Sequence, residues 1–135
     1  MFVHLNTHSI YSPMRGLLSL PEMMDLAKSC SMGTLALTDV NGLWGFIRFV
    51  QHCRSSRINP IAGVNLITNK QEVLILVENQ YGYENLCRII SSMHDDPNRD
   101  ISDILRKYHA GVFVLGYDIS ILKELSSFIP DSHLF

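Results

Sequence analysis

Short apolar runs alternate along this chain with longer amphipathic stretches, and this alternation constrains the fold more than any other feature. The run Thr34-Leu-Ala-Leu-Thr38 is typical of strands that are buried on both faces of a parallel sheet. The segment Ser19-Leu-Pro-Glu22 predicts the start of a helix, because it offers an N-cap hydroxyl, an early proline and a glutamate three residues after the cap. The predicted order, β-α-β-α-β-β-α-α-β-α, favours an α/β fold with a mainly parallel sheet and crossover helices.

The same pattern sets the bounds of the predicted elements. The strands are Met1–Leu5, Thr34–Thr38, Ile61–Thr68, Glu72–Val77 and Val112–Leu115. The helices run from Ser19 to about Met32, with Gly33 ending it, from about Trp44 to Ser56, and over Gly82–Met93, Ile101–Tyr108 and Ile119–Phe128. The predicted inward side chains are Met23, Leu26, Ala27 and Cys30 on the first helix and Trp44, Ile47, Val50 and Cys53 on the second.

Composition limits both the size and the class of the protein. With 135 residues, 47% of them hydrophobic and 18% charged, the chain holds at most one domain and is poorer in charge than the roughly 25% of a typical soluble domain. We therefore expect some apolar surface to remain uncovered. The formal charge of −2 provides no global field that would attract nucleic acid or a membrane surface.

The cysteines and the N-terminus indicate the compartment. The three cysteines are odd in number and form no C-x-x-C pair, which favours reduced thiols and argues against a zinc ribbon. No secretory leader and no apolar run of membrane-spanning length is present. The sequence therefore predicts a cytoplasmic protein with no membrane partner.

Ligands of parallel sheets bind beyond the carboxyl ends of the strands, so three segments are candidates for chemistry. These are His4–Ser9, Asp39–Asn41 and the neighbourhood of Asn65. His4 and His8 are the only histidines close together in sequence, and a metal site would need further ligands that converge with them. Asp39 is expected to cap the turn that follows it.

Five blocks of the sequence resemble one family. They are His4-Leu-Asn-Thr-His8-Ser-Ile-Tyr-Ser12, Arg15-Gly-Leu-Leu-Ser19, Leu35-Ala-Leu-Thr-Asp39-Val-Asn-Gly-Leu-Trp-Gly45, Asn59-Pro-Ile-Ala-Gly63 and Gly82-Tyr-Glu-Asn-Leu-Cys-Arg88. In this order and spacing they resemble the PHP (polymerase and histidinol phosphatase) domain, in the form found at the N-terminus of bacterial DNA polymerase III alpha subunits. The resemblance implies a (β/α) barrel of seven strands, about twice as long as this chain, so residues 1–135 would be the N-terminal part of a single, incomplete domain.

The resemblance also implies a metal site, and this sequence departs from it. Active relatives bind zinc, manganese or iron in a cluster that hydrolyses phosphoesters. Among the family's ligand positions, His8 matches, whereas Asn6, Arg15, Val40 and Asn65 replace ligands and Asp39 has lost its histidine neighbour. A multinuclear site needs anionic or imidazole ligands. We therefore expect no catalytic residue, no metal and no cofactor in this part of the chain, and we expect Arg15 to pair with a carboxylate such as Asp39.

The resemblance implies a role in DNA replication through a larger protein. A DNA-directed DNA polymerase would hold magnesium in a separate palm domain, and that parent protein, not this part, would contact DNA. The degenerate domain would serve as a scaffold beside other polymerase III subunits and would dock the proofreading exonuclease subunit. Two alternatives are an independent metal-dependent PHP phosphoesterase and a free-standing interaction module derived from a PHP domain.

Half of a barrel leaves strand edges unpaired. A closed barrel has no edge strands, whereas an incomplete one exposes backbone N–H and C=O groups at both ends of its sheet. We therefore expect the chain to form a homodimer through an open sheet edge or to exchange elements with a second copy.

Overall fold

A computed structural model describes residues 2–135 and divides into two compact units, residues 1–64 and 65–135. The chain forms four strands, β1 (Thr34–Leu37), β2 (Asn59–Ile67), β3 (Glu72–Val77) and β4 (Val112–Gly116). It forms five α-helices, α1 (Leu20–Ser29), α2 (Phe46–Ser56), α3 (Gln80–Asp95), α4 (Ile101–Tyr108) and α5 (Ile119–Leu125), and a final 3₁₀ turn at Asp131–His133. None of the helices within residues 2–135 is long and apolar enough to span a bilayer. The predicted α/β class is confirmed.

The strands form an open sheet in the order β1-β2-β3-β4. In the first unit β1 and β2 are parallel, with Thr34 opposite Asn59, as a crossover through α2 requires. In the second unit β3 and β4 are antiparallel, with Val73 opposite Gly116. The tight connection at residues 69–70 between β2 and β3 agrees with the prediction.

The core of the first unit lies around α1, β1 and α2. Fully or nearly buried side chains include Leu20, Met23, Met24, Ala27, Leu35, Leu37, Phe49 and Cys53. The predicted stripe is right for Met23, Ala27 and Cys53. On α1 it is wrong for Leu26 and Cys30, whose side chains are exposed. On α2 it is wrong for Trp44 and Ile47, which are also exposed, and Val50 is only half-buried. Because α2 carries apolar residues on several faces, the periodicity of these residues did not identify the face that is buried.

Residues 2–5 do not form the predicted N-terminal strand. Met1, the first residue of that predicted strand, lies outside the described residues. The backbone N–H groups of Ala36 and Thr38, two residues apart on β1, donate to the carbonyls of His4 and Thr7, three residues apart. The extra residue in the N-terminal segment breaks the one-to-one register that a ladder needs.

Helix α1 begins as predicted but ends earlier. Ser19 and Glu22 form the capping box. Cys30 is the C-cap, and Ser31 takes the left-handed conformation with φ 55°. The N–H of Ser31 donates to Lys28 and that of Met32 to Ala27, which is the Schellman arrangement. The expected terminator, Gly33, is therefore not the residue that ends the helix.

The second unit has its own core around β3 and β4. Val73, Ile75, Val112, Val114, Leu86, Ile89, Ile104 and Leu105 are buried there. At the outer side of β4, Leu134 forms a parallel bridge with Val114, and Phe135 exchanges backbone hydrogen bonds of 2.8–2.9 Å with Val114 and Gly116. The last two residues therefore pair with part of the edge that was expected to be open.

Candidate functional site

The side chain of Asp39 forms the centre of a buried polar cluster directly after β1. Asp39 is 1% exposed, and Ser9 and Ser12 are fully buried beside it. Oδ1 accepts hydrogen bonds from the backbone N–H of Ser9 at 2.8 Å and from the hydroxyl of Ser12 at 2.6 Å. The hydroxyl of Ser9 donates to Oδ2 at 2.8 Å. These buried contacts, called here the Asp39 cluster, join the end of β1 to a loop about thirty residues earlier in the chain.

The two serines extend the cluster into the backbone. The Ser12 hydroxyl accepts from the backbone N–H of Val40 at 2.9 Å, and the Ser9 hydroxyl accepts from that of Tyr11 at 3.2 Å. Gly16 closes the loop, since its N–H donates to the carbonyl of Ser12 and an added Cβ would overlap the carbonyl of Ser9. The loop after the N-terminal segment is therefore held against the end of β1 by specific contacts.

The predicted role of Asp39 is wrong in one respect. Its carboxylate does not cap the following turn, because its partners are Ser9 and Ser12 in the preceding loop. The predicted pairing with Arg15 is not among these contacts, and the Arg15 side chain is exposed. A buried carboxylate needs hydrogen-bond donors, and here hydroxyl and backbone groups supply them.

The other candidate positions of the first unit are more open. Asn6 is exposed, and its Oδ1 accepts from the Thr38 hydroxyl at 3.4 Å. His8 and Val40 are half-buried. His4 is exposed, and its ring meets that of Phe2 edge-on at 4.6 Å. Of these positions, Asp39 lies in the buried cluster, and Val40 contacts the cluster through its backbone N–H.

Asn65 belongs to the second unit and is fully buried there. Its side-chain amide donates to Glu72 Oε1 at 2.9 Å. An amide that donates to a neighbouring strand has a structural use at this position.

The donor set of the first unit does not suit a multinuclear metal centre. It offers a neutral amide at Asn6, one imidazole at His8, a cation at Arg15, an alkyl group at Val40 and a carboxylate whose oxygens already accept hydrogen bonds. Among residues 2–135 no group of three or more histidine, cysteine, aspartate or glutamate side chains is placed to hold a metal ion. No step of a metal-assisted reaction can be derived from these residues.

A cleft of about 340 Å³ lies between the N-terminal segment and helix α1, and the sequence did not predict it. Its polar lining comes from His4, Asn6, Thr7 and His8, and its apolar lining from Leu18, Met23, Leu26, Ala27, Met32 and Leu35, with Cys30. This cleft explains why Leu26 and Cys30 are exposed although they continue the apolar stripe of α1. Cys53 does not line this cleft, and burial raises the pKa of its thiol to about 11.

Three kinds of comparison place the chain among known proteins. The family model described as the PHP domain matches residues 4–124. A DNA polymerase III subunit alpha of Borreliella burgdorferi is 30% identical over 82% of this chain, and that of Bacillus subtilis is 30% identical over 84%. The chain spans 11% of the length of each of these relatives.

Solved structures support the fold. A two-domain protein from Bacteroides vulgatus, containing a predicted PHP-like metal-dependent phosphoesterase, aligns with 98% of this chain and 38% of its own, with a TM-score of 0.61 and 16% identity. An amidohydrolase from Chromobacterium violaceum aligns with 93% of this chain and 72% of its own, with a TM-score of 0.57 and 14% identity. At these identities the likeness concerns the fold alone.

Proposed function

Because this chain belongs to the PHP domain family, we propose that it serves DNA replication as part of a DNA polymerase III alpha subunit, with a scaffolding role and without metal-dependent catalysis of its own. The relatives named above are DNA polymerase III alpha subunits. The observation that carries the proposal is the Asp39 cluster, in which Ser9 and Ser12 satisfy the buried carboxylate at the place where the family's ligands would converge.

The proposed absence of metal chemistry is supported by the charge and chemistry of the side chains at the family positions. Arg15 places a cation where a ligand would be needed, and Val40 offers no donor atom. Asn6 could contribute one neutral oxygen, which by itself is a weak ligand for a transition metal. The domain would then need no zinc, manganese or iron, and the magnesium of polymerisation would belong to another domain of the parent protein.

Metal content and phosphoesterase activity test this part of the proposal. We expect the purified chain, after incubation with zinc, manganese or iron and gel filtration, to contain no stoichiometric metal and to hydrolyse no p-nitrophenyl phosphate. The matched variant is N6H/R15D/V40H, which restores ligand types at three positions whose side chains are exposed or half-buried. Stoichiometric metal with metal-dependent turnover in the unsubstituted chain would establish the alternative, a PHP phosphoesterase.

The proposed scaffold needs a contact surface, and exposed apolar side chains offer one in the first unit. Met14 is 101% exposed and Leu17 is 89% exposed in the loop that the Asp39 cluster holds. Ile10 and Ile47 are also mostly exposed. Exposed apolar side chains on an ordered loop are typical of interaction sites. We propose that this loop, residues 10–18, docks another polymerase III subunit, and the proofreading exonuclease is the subunit we favour.

Calorimetric titration with the exonuclease subunit of the same organism tests the docking. The variant M14D/L17D should weaken binding at least about tenfold, since central apolar contacts dominate interface energies. The matched control is Y117D/I119D, which places the same two charges at exposed positions of the second unit. Equal affinities for both variants, or no binding by the unsubstituted chain, would contradict the proposed docking and favour a free-standing interaction module.

A further inference from the structure

Two adjacent clefts in the second unit are lined by basic side chains that the proposed scaffold does not use. One cleft, of about 350 Å³, is bordered by Arg99, Arg106, Lys107 and the hydroxyls of Ser92 and Tyr108. The other cleft, of about 240 Å³, is bordered by Arg99 again and by Lys70. Because Arg99 lines both, the two clefts share a wall.

The concentration of positive charge here is unusual for this unit. Residues 65–135 hold six basic and ten acidic side chains, and four of the six basic ones line these clefts. Two carboxylates also border the clefts, but Asp100 is the N-cap of α4 and Asp103 lies in its first turn, where negative charge complements the helix dipole. The helix dipole does not explain the positive charge of Lys70 and Arg99 in the cleft, because both residues lie outside α4.

Three of these cations have no anionic partner within the part of the chain that the structure describes. No carboxylate lies within ion-pair distance of Lys70, Arg99 or Lys107, although the unit is acidic overall. Arg106 is used differently, since its guanidinium lies 4.4 Å from the centre of the Phe128 ring. Cations without an internal partner remain available for hydrogen-bonded contact with an external anion.

The remaining lining indicates the kind of anion. Besides the cations, the smaller cleft presents Thr68, Asn69 and Asn98, and the larger one presents Ser92 and Tyr108. Arginine and lysine together with hydroxyl and amide side chains are the groups that contact phosphate oxygens in protein–DNA complexes. An amphipathic peptide would instead require a mainly apolar groove.

We propose that these two clefts bind the phosphodiester backbone of DNA, with successive phosphates on either side of Arg99. This part of the chain would then itself contact DNA, contrary to the expectation from the family resemblance. The contact is independent of base sequence, because the lining offers phosphate donors and no element that enters a groove. It is also independent of exonuclease docking, which we place on the first unit. The near-neutral charge of the whole chain makes this a local contact and not a long-range attraction.

Fluorescence anisotropy with short labelled single-stranded and duplex DNAs tests the proposal on the full chain. The cleft variant is K70A/R99A/K107A, which retains Arg106 because that side chain packs on Phe128. The matched control is K28A/R54A/K123A, which removes the same charge from exposed positions outside the clefts.

We expect the cleft variant to bind at least about tenfold more weakly than the unsubstituted chain, and the control variant to bind within about twofold. If about four phosphates are contacted, the logarithm of the association constant should fall with the logarithm of salt concentration with a slope of about −3, and the cleft variant should lose most of that slope. Circular dichroism of both variants verifies that they are folded.

Three results would overturn the proposal. The first is no measurable binding of either DNA at low salt. The second is an equal loss of affinity in the cleft and control variants, which would mean that overall charge alone governs binding. The third is competition by polyglutamate that is as effective as competition by unlabelled DNA, which would indicate an acidic peptide as the ligand.

Discussion

Removing the Asp39 carboxylate should destabilise the protein strongly, and the D39A variant tests this. The carboxylate accepts hydrogen bonds from the backbone N–H and the hydroxyl of Ser9 and from the hydroxyl of Ser12, all of them buried. Alanine leaves these three donors without their acceptor. Leaving a buried donor without its acceptor costs about 1–3 kcal/mol, so the loss of the acceptor of all three should cost about 3 kcal/mol or more, a large fraction of the roughly 5–15 kcal/mol that stabilises a typical domain.

The energetic coupling between Asp39 and Ser12 can be separated from the cost of each single substitution. S12A removes one donor to Asp39 and the acceptor of the Val40 N–H, so we expect it to cost about 1.5–3 kcal/mol. Because both substitutions delete the same hydrogen bond, the double variant should cost less than the sum of the single ones, with a coupling of about 1–2 kcal/mol. The matched control is S91A, whose exposed hydroxyl bonds only the Cys87 carbonyl of its own helix, and it should change stability by less than about 0.5 kcal/mol.

Urea unfolding followed by circular dichroism measures these differences. The urea concentration at the midpoint should shift, whereas the slope of the unfolding free energy against urea concentration should stay constant. A constant slope would show that stability has changed and the denatured state has not. A cost below about 1 kcal/mol for D39A, or strict additivity of D39A and S12A, would refute the reasoning that the Asp39 cluster holds the loop to β1.

Two further substitutions and one deletion probe other parts of the structure. G82A should cost about 3 kcal/mol or more in urea unfolding, because the added Cβ would overlap the carbonyl of Gly111; a neutral result would contradict the close approach. The raised pKa of Cys53 means that the folded state keeps this thiol protonated, so its contribution to stability is complete below pH 9.0 and is lost as the pH rises toward about 11; C53A should lack that part of the pH dependence. Deleting residues 134–135 removes the pairing with Val114 and exposes the edge of β4, so light scattering should show more self-association than in the full chain; an unchanged mass would argue against an edge-mediated dimer.

The sequence predicted those elements whose signals are local. The start of α1 depends on four consecutive residues, and α4 matches its predicted bounds, Ile101–Tyr108. The end of α1 was missed because Ser31, and not a glycine, takes the left-handed conformation there. A residue that pays this backbone cost carries no clear signal in a single sequence.

Helix faces and the site required knowledge of tertiary contacts. Phe49 and Cys53 are the buried residues of α2, one turn apart, while Ile47 is exposed. Asp39 was a candidate from its place after β1, but no sequence pattern indicated Ser9 or Ser12 as its partners. Serine is common in loops, and only the fold brings these two hydroxyls to a carboxylate thirty residues away.

The hydrogen bonds between the N-terminal segment and the end of β1 have a consequence for folding kinetics. The carbonyls of His4 and Thr7 accept from β1, and Ser9 and Ser12 donate to Asp39. The segment therefore gains these partners only once β1 is in place and a loop of about thirty residues has closed, which carries an entropic cost. Substitutions in residues 4–12 should consequently leave the folding rate nearly unchanged and accelerate unfolding, with φ-values close to zero.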